Sequence, residues 1–301
     1  MKTICSTLIA VLVLFASSAF AQSYVFKVLA NKGENQVKTA SETTWKPVKT
    51  GVTLNEGDEL KVSENAYLGL VHYTGKTVEL KKPEVIDINE LASSLSTSGS
   101  SVASKYADFV LNKMAQSGDR KERLAATGAV TRATDNSSIK VFMPSSVEVL
   151  NPEAIISWNQ IEGAQTYVVT LKNMFDEVIL SKETTSNNIS LNFDDQKLAK
   201  ERLVILSVKL KDDDAITSGD YGIQRLSGDD AKPVMEDLTQ LKSETNEESS
   251  LGHIMLASFY EDNNLMVDAA TSYQNAIRLS PDVEDFKDMY QDFVERNGLN
   301  K

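Results

Sequence analysis

The sequence predicts a multidomain β plus α protein, in which two β domains precede a helical C-terminal domain. Three observations predict it. Short β-branched runs separated by turn residues fill 22–90, alternating apolar residues recur over 139–226, and apolar residues at helical spacing fill 231–299. The length of 301 residues leaves room for two or three packed cores. We therefore expect three modules, with a helix and linker over 91–138.

The composition argues against several functional classes. The formal net charge is -12, which disfavours wholesale electrostatic binding to nucleic acid or to an anionic bilayer. With only two histidines and one cysteine, the chain cannot assemble a Cys/His zinc site. The same counts disfavour a cysteine–histidine nucleophile. The composition thus points away from catalysis.

The N-terminus carries the features of a secretory signal. Lys2 precedes an apolar run over 8–15, and the small residues Ala19 and Ala21 follow, so we expect cleavage after Ala21 and a signal peptide over 1–21. A membrane anchor is the alternative, but a bilayer span needs about 20 apolar residues and this run is shorter. Cys5 leaves with the signal. The mature protein is expected to be exported, periplasmic or envelope-associated, free of disulfides and without a transmembrane segment.

The first module, over 22–90, is predicted to be a small all-β roll or sandwich. Its strands are short, and they are separated by glycine-containing turns of the kind that end strands. The predicted strands are Tyr24–Val28, Glu59–Val62, Tyr67–Val71 and Thr77–Leu80.

One residue pattern in this module resembles an FecR-type extracytoplasmic domain over about residues 24–88. Its members include Trp45, Gly51, Gly57, Asp58 and Gly75. The glycines are expected to relieve φ restrictions at turns, and Trp45 to fill the interior. The FecR family includes regulators that pass periplasmic signals through a membrane helix to a cytoplasmic sigma factor. No such helix is evident after the signal, so the resemblance implies only the fold and the extracytoplasmic setting.

The segment over 91–138 is predicted to hold one helix and a linker. A serine-rich stretch over 93–104 leads into apolar residues at helical spacing, and we expect this helix to pack on a neighbouring sheet. The polar stretch over 116–138 is interpreted as the linker. The helix is marked by Val102, Tyr106, Phe109, Val110 and Met114.

The second β module, over 139–226, shows clear alternation. Runs over 156–158 and 167–171 flank Gly163 and Ala164, which we interpret as a tight turn, and a third alternating run follows over 204–210. A tryptophan followed by a turn and a Tyr-x-Val-x-Leu strand resembles an immunoglobulin-like or fibronectin type III sandwich. The missing cysteine pair excludes the antibody subtype, and Trp158 is expected in the core.

The C-terminal module, over 231–299, carries a spacing that resembles a tetratricopeptide repeat. Small alanines would keep two antiparallel helices close, larger side chains would fill the gaps beside them, and the proline would end the second helix. The motif residues are Leu256, Ala257, Tyr260, Ala269, Tyr273, Ala276 and Pro281.

Two more amphipathic helices flank this motif, one around 234–241 and one over 286–294 that ends at Asn297 and Gly298. Four helices make about two repeats, fewer than the three that a solenoid usually needs. We therefore expect the helices to pack against the sandwich or against a partner for stability. Residues 228–301 also hold 16 of the 43 acidic residues but only 6 of the 31 basic ones, which marks a separate module.

The search for reactive groups singles out no catalytic, cofactor-binding or metal-binding residue. No phosphate-binding glycine loop is present, and His72 and His253 lack a second ligand at metal-site spacing. The acidic run Asp212–Asp214 could hold calcium, but it lacks the spacing of a dedicated loop, so a solvated hairpin turn is the favoured interpretation. No pair of carboxylates stands out for glycoside hydrolysis.

These features favour a non-catalytic exported scaffold or adaptor at the bacterial cell envelope, with signalling as one setting. A protein or peptide partner would bind the concave face of the helical C-terminal region. The alternative is a carbohydrate- or cell-wall-binding protein, in which exposed rings of Trp45, Tyr67 and Tyr73 would contact an envelope glycan. A hydrolase with unmarked carboxylates is a third and weaker hypothesis.

Overall fold

The computed structural model describes residues 24–95, 102–113 and 138–300. The predicted signal, Met114 and all of the predicted linker except its last residue, Ser138, lie outside these ranges. The described part contains β-sheets in its N-terminal and central regions and helices mainly towards the C-terminus, so it is a mixed β plus α multidomain fold.

The first β module consists of two four-stranded antiparallel sheets that enclose one apolar core, which includes Phe26, Leu54 and Leu60. The strand orders are β4-β1-β6-β7 and β3-β2-β5-β8. The strands are β1 Phe26–Lys32, β2 Gln36–Lys38, β3 Lys46–Pro47, β4 Thr53–Leu54, β5 Glu59–Val62, β6 Tyr67–His72, β7 Thr77–Leu80 and β8 Glu84–Asp87.

Two of the predicted strands, β5 and β7, have the predicted bounds, but the first strand extends further than expected. β1 runs to Lys32 because it pairs with β6 as far as Tyr67, with a register shift between Val28 and Ala30. Strands β2, β3, β4 and β8 were not predicted. Strands β2, β3 and β4 have only two or three residues, too few for alternation to be visible, and the burial of β8 does not alternate along its four residues.

The turn residues of the first module adopt the backbone that the sequence suggested, but the tryptophan does not. Gly51, Gly57 and Gly75 have φ values of +87°, +79° and +91°, and the buried Asp58 carboxylate accepts hydrogen bonds from two backbone N–H groups. Trp45 is only half-buried and lies beside Lys38, whose ammonium is 5.2 Å from the ring centroid. The prediction that Trp45 fills the interior is wrong, because it precedes an exposed edge strand.

The second β module is a sandwich of a two-stranded sheet, β10-β13, and a five-stranded sheet, β12-β11-β14-β15-β9. Both sheets contribute to one core, in which Trp158 is fully buried. All pairs are antiparallel except β9 with β15. The strands are β9 Ser146–Val149, β10 Glu153–Ser157, β11 Tyr167–Lys172, β12 Val178–Thr184, β13 Asn188–Asn192, β14 Leu203–Leu210 and β15 Tyr221–Arg225.

The predicted turn at Gly163 is present, but it connects different sheets. Gly163 has a φ of +77°, and the Ala164 N–H donates to the Ile161 carbonyl at 3.2 Å. The strands on either side do not pair with each other, since β10 pairs with β13 while β11 pairs with β12 and β14. The turn therefore crosses from one layer of the sandwich to the other.

Six helices lie within the described residues. In chain order they are α1 Ile88–Ser94, α2 over 102–113, α3 Ala231–Glu244, α4 Ser250–Asp262, α5 Met266–Leu279 and α6 Glu284–Arg296. Helix α1 crosses the predicted domain boundary at residue 90, because the Asp87 side chain accepts from the Asn89 and Glu90 N–H groups and so begins the helix. None of the described helices combines the length and the apolarity that a bilayer span requires.

The helical region, α3–α6, packs on both β modules, whereas the sequence predicted contact with the second module or with a partner. One apolar cluster joins Leu29 and Val71 of the first module to α2 and to α4–α6. On the opposite side, α5 contacts β9 and β10, and its Val267 enters the core of the second module. The helices thus lie between the two β modules.

Candidate functional site

The residues of the repeat-like motif lie where two helices cross. All the motif residues on α4 and α5 are buried, and the three alanines are fully so. Their small side chains allow close approach of the two helices, and α5 ends at Leu279, two residues before Pro281. Helix α4 carries Leu256, Ala257 and Tyr260, and α5 carries Ala269, Tyr273 and Ala276.

Helix α4 has little surface left for a partner. Eleven of its 13 residues are buried, because α2, α5 and the first β module surround it. The Tyr106 ring of α2 packs edge-on against Phe259 with centroids 5.2 Å apart, and the Lys105 ammonium lies 2.8 Å from the Asp262 carboxylate. A partner that used this face would first have to displace the chain's own helix.

A carboxylate of the first β module contacts the start of α4. The Glu79 Oε1 atom on β7 accepts from the Tyr67 hydroxyl at 2.8 Å and from the Leu251 N–H at 2.9 Å. Negative charge is favourable there because the first N–H groups of a helix have no partner within the helix. Burial, followed by the charge of Glu79, raises the pKa of Tyr67.

A second carboxylate links the first β module to α6. Asp285, in the first turn of α6, accepts from the Asn31 N–H at 2.9 Å and from the Thr50 hydroxyl at 3.1 Å. Beside it, the exposed Lys32 and Asp282 form an ion pair at 3.1 Å. The first module is therefore held at the N-terminal ends of both α4 and α6.

A third carboxylate links the second β module to α5. Asp268 accepts from the Leu150 N–H at 3.0 Å, from the Asn151 N–H at 2.8 Å and from the Asn151 side-chain amide at 2.6 Å. Only 3% of Asp268 is exposed. Its burial raises the pKa to about 6, against the opposing effect of these hydrogen bonds.

Helix α5 also covers the open edge of β10. The Ile155 N–H donates to the Thr271 hydroxyl at 2.9 Å, and the Gln274 side-chain amide donates to the Ile155 carbonyl at 3.4 Å. The Ser157 hydroxyl bonds to the same glutamine at 2.9 Å. Helix side chains thus satisfy strand groups that a neighbouring strand would otherwise take.

No sequence signal pointed to these carboxylates. Glu79 and Leu251 are 172 positions apart, Asp285 and Asn31 are 254 apart, and Asp268 and Asn151 are 117 apart. Only the fold brings such distant residues together.

The two histidines occupy structural positions. His72 lies between the rings of Phe26 and Tyr73, with its Nδ1 atom 2.8 Å from the Thr74 hydroxyl, and burial lowers its pKa. His253 lies on α4, where burial also lowers its pKa. The described residues bring neither histidine into a group that could hold a metal ion.

The acidic run after β14 is a connection between strands. The Asp213 carboxylate accepts from the Ala215 N–H at 2.9 Å, and Asp214 pairs with Lys209. Over the described residues, Asp212–Asp214 belong to no cluster of three or more possible metal ligands.

The three aromatic residues considered for glycan contact do not form one exposed platform. Tyr67 is 4% exposed, bonded to Glu79 and packed on the Phe286 ring at 5.7 Å, so the expectation that it is exposed is wrong. Its place on β6, directly under α6, explains this burial. Tyr73 is 56% exposed, while Trp45 is half-buried.

A cleft of about 500 Å³ lies where α5 meets the second β module. It runs from α5 across β10 and β13 to β12. Its lining combines leucines with basic and polar side chains. Among them are Leu180, Leu191, Lys182, Lys197, Ser190 and Arg278.

The chain matches no protein-family model, and a search of curated proteins found no match. The resemblances to FecR-type, immunoglobulin-like or fibronectin type III, and tetratricopeptide domains therefore stay predictions from the sequence.

Proposed function

We propose that this chain is a non-catalytic exported scaffold or adaptor that binds a protein or peptide partner at the bacterial cell envelope. One observation carries the proposal: the helical region joins both β modules through apolar packing and through hydrogen bonds to the carboxylates of Glu79, Asp285 and the buried Asp268. Such an arrangement holds two binding modules in a fixed relation, which is what a scaffold requires.

The finer domain assignments support the same proposal. An immunoglobulin-like or fibronectin type III assignment fits the strand pairing of the second β module, in which β9 runs parallel to β15 and β10 pairs with β13. An FecR-like assignment fits the two short sheets of the first module, and the α4–α5 hairpin fits a tetratricopeptide-like one. All three types are mainly binding or structural, although fold analogy alone does not fix function.

The partner surface is proposed to lie on the second β module, since α2 covers much of α4. The hairpin between β11 and β12 exposes three large apolar side chains: Met174 at 64%, Phe175 at 76% and Val178 at 59%. Clustered apolar exposure of this kind marks interaction sites more often than scattered single residues do. The cleft described above lies beside the same strand, β12.

The test is capture of partners from an envelope extract with residues 22–301, the chain that follows the predicted signal. Immobilised native protein is compared with the same protein after heat unfolding, which keeps its composition and charge. The proposal expects a discrete partner that only native protein retains through a high-salt wash. Absence of any such partner, or steady turnover of a peptide, an ester or a polysaccharide by the purified chain, would contradict it.

A further inference from the structure

The second β module has an open strand edge inside the cleft. The two-stranded sheet has the order β10-β13, so no strand among the described residues pairs with the far side of β13, and β12 ends the five-stranded sheet. The cleft of about 500 Å³ lies between these two edges and extends to α5. The space is therefore bordered on two sides by backbone that could pair with a further strand.

The hydrogen bonds of β10 show which way the backbone of β13 points. Ile155 lies directly opposite Ser190, and its N–H and carbonyl are bonded to Thr271 and Gln274 of α5 instead of to β13. Directly opposed residues in an antiparallel ladder either exchange both backbone bonds or neither. The N–H and carbonyl of Ser190 therefore point away from β10, and Ser190 lines the cleft.

The side chains around the cleft combine an apolar wall with positive charge. Leu180, Leu191 and Leu198 supply the apolar part. The cations are Lys182, Lys197 and Arg278, and no ion pair with a carboxylate involves them within the described residues. By contrast, Lys172, Lys209 and Lys211 of the same β module are each paired with an acid.

The local charge differs in sign from that of the whole chain. The three cations of the cleft outnumber its two acids, Glu153 and Asp195, whereas the chain has a net charge of -12. Unpaired cations around a partly apolar cleft attract an acidic ligand. The unpaired edge of β13 further restricts the ligand, because only another peptide backbone can form ladder hydrogen bonds along the length of a strand.

We propose that this cleft binds an extended acidic segment of a partner protein, which adds a strand beside β13. Alternate side chains of a strand point to opposite faces, so one set would contact the leucines while the acidic set reaches the cations. This inference deepens the proposed function, on which it rests, by naming the docking surface and the chemistry of its partner. An acidic glycan or a free anion would complement the positive charge of the cleft, but it would leave the N–H and carbonyl of Ser190 without a hydrogen-bonded strand partner.

The direct test uses a synthetic peptide of about eight residues, a length within the usual range for strands. Its sequence alternates glutamate and valine, both ends are blocked, and a fluorophore reports binding to residues 22–301 by anisotropy. Saturable binding is expected, weakened by salt, and about tenfold weaker for the lysine–valine analogue if three exposed charge pairs are involved. Failure of the glutamate peptide to bind saturably would overturn the proposal.

Two substitutions at Ser190 distinguish the contribution of its backbone N–H to peptide binding from the contribution of its side chain. Ser190→Pro removes the N–H that an added strand would use, and an edge strand tolerates proline because this N–H has no ladder partner. Ser190→Ala keeps the N–H. The peptide should bind the alanine variant like the unsubstituted chain and should no longer bind the proline variant. Equal binding by both variants would overturn strand addition.

A charge-reversed variant tests the proposal independently if the proline variant does not fold. The triple variant Lys182→Glu, Lys197→Glu and Arg278→Glu should no longer bind the glutamate peptide, and it should bind the lysine peptide more tightly than the unsubstituted chain does. An unchanged preference would refute the charge argument. Size-exclusion chromatography adds one more outcome: if the chain self-associates and Ser190→Pro abolishes this, the occupant is a second copy and the proposal is wrong.

Partner capture with the variants separates a failure of the cleft assignment from a failure of the scaffold function. If Ser190→Pro and the charge-reversed variant retain the same envelope partner as the unsubstituted chain, the scaffold function stands and the cleft assignment fails. If the unsubstituted chain retains no partner, the proposed function itself fails.

Discussion

The carboxylate of Asp268 accepts hydrogen bonds from the N–H and the side-chain amide of Asn151, at 2.8 and 2.6 Å, across 117 positions of sequence. Leu150 donates to the same carboxylate, so an acid on α5 satisfies two consecutive backbone N–H groups between β9 and β10. Because α5 also bonds to Ile155, the helix replaces part of a missing strand neighbour of β10. In this structure, backbone groups of the second β module therefore obtain hydrogen-bond partners from the helical region.

Removing the Asp268 carboxylate should destabilise the protein strongly. Asp268→Ala leaves the partly buried N–H groups of Leu150 and Asn151 without this acceptor, so we expect a loss of about 3 kcal/mol in the free energy of unfolding. Urea denaturation measures it. Asp282→Ala is the matched control, since its exposed pair with Lys32 should contribute less than about 1 kcal/mol. Equal losses would show that the Asp268 contacts are not stabilising.

The stability of the protein should depend on the protonation of Asp268. Burial raises its folded-state pKa to about 6, above its ordinary value of 3.8. The folded state therefore binds the proton more tightly, and this contribution is fully present below about pH 3.8 and is lost as the pH rises through 6. The nearby Tyr260 stays protonated over this range, because burial raises its pKa.

Asp268→Asn removes this titration while keeping a side chain of the same shape. Relative to that variant, the unsubstituted chain should gain about 1–3 kcal/mol in the free energy of unfolding between pH 7 and pH 4.5. Urea titrations of both proteins at a series of pH values measure the difference between their free energies of unfolding. The contributions of the other carboxylates are the same in both proteins and cancel in this difference. A difference that is constant with pH would mean that Asp268 has an ordinary pKa.

The docking of α2 on the first β module should make Gly75 hard to replace. Gly75 has a φ of +91°, and an added Cβ would lie 2.3 Å from the carbonyl carbon of Ala103. Gly75→Ala should therefore cost about 3 kcal/mol or more. Gly163→Ala is the control: its φ of +77° is similar but no atom lies within 4 Å, so it should cost about 1–2 kcal/mol. Similar costs in urea denaturation would argue that α2 is not docked there in solution.

The two β modules should keep one relative arrangement. The only cysteine of the chain is Cys5, so protein that begins at residue 22 accepts spin labels at two chosen positions. Thr44→Cys and Ser186→Cys place the labels on exposed sites of the first and second modules. Pulsed electron paramagnetic resonance should give a single narrow distance distribution. Addition of Asp268→Ala should broaden it, and a broad distribution without that change would contradict a rigid scaffold.

Much of the fold could be predicted from local patterns. Strands β5 and β7 and the helices on either side of the repeat-like motif follow from alternation and from helical spacing, which depend on nearby residues. Short strands such as Lys46–Pro47 escaped prediction, because two residues have no period. Trp45 was misplaced for a related reason: its residue type suggests burial, but its position beside an edge strand leaves it half-exposed.

The candidate site could not be predicted in the same way. The sequence identified no reactive group, and of the repeat-like helices that it suggested as the partner surface, α4 is enclosed by α2, α5 and the first β module. The open edge at Ser190 and the cations around it lie on separate elements: Lys182 is on β12, Lys197 follows β13, and Arg278 is on α5. Their proximity is a property of the packing.

The order of two β modules followed by a helical region can be inferred from the amino-acid sequence, because periodicity and turn residues act over a few positions. Packing in three dimensions places the helices between both modules and brings Asp268 and Glu79 to partners more than a hundred positions away. In the part of the chain that the structure describes, it also leaves the outer edge of β13 without a neighbouring strand. The physical reason is that burial and hydrogen-bond satisfaction are settled among residues distant in the chain, and no local pattern records which of them will meet.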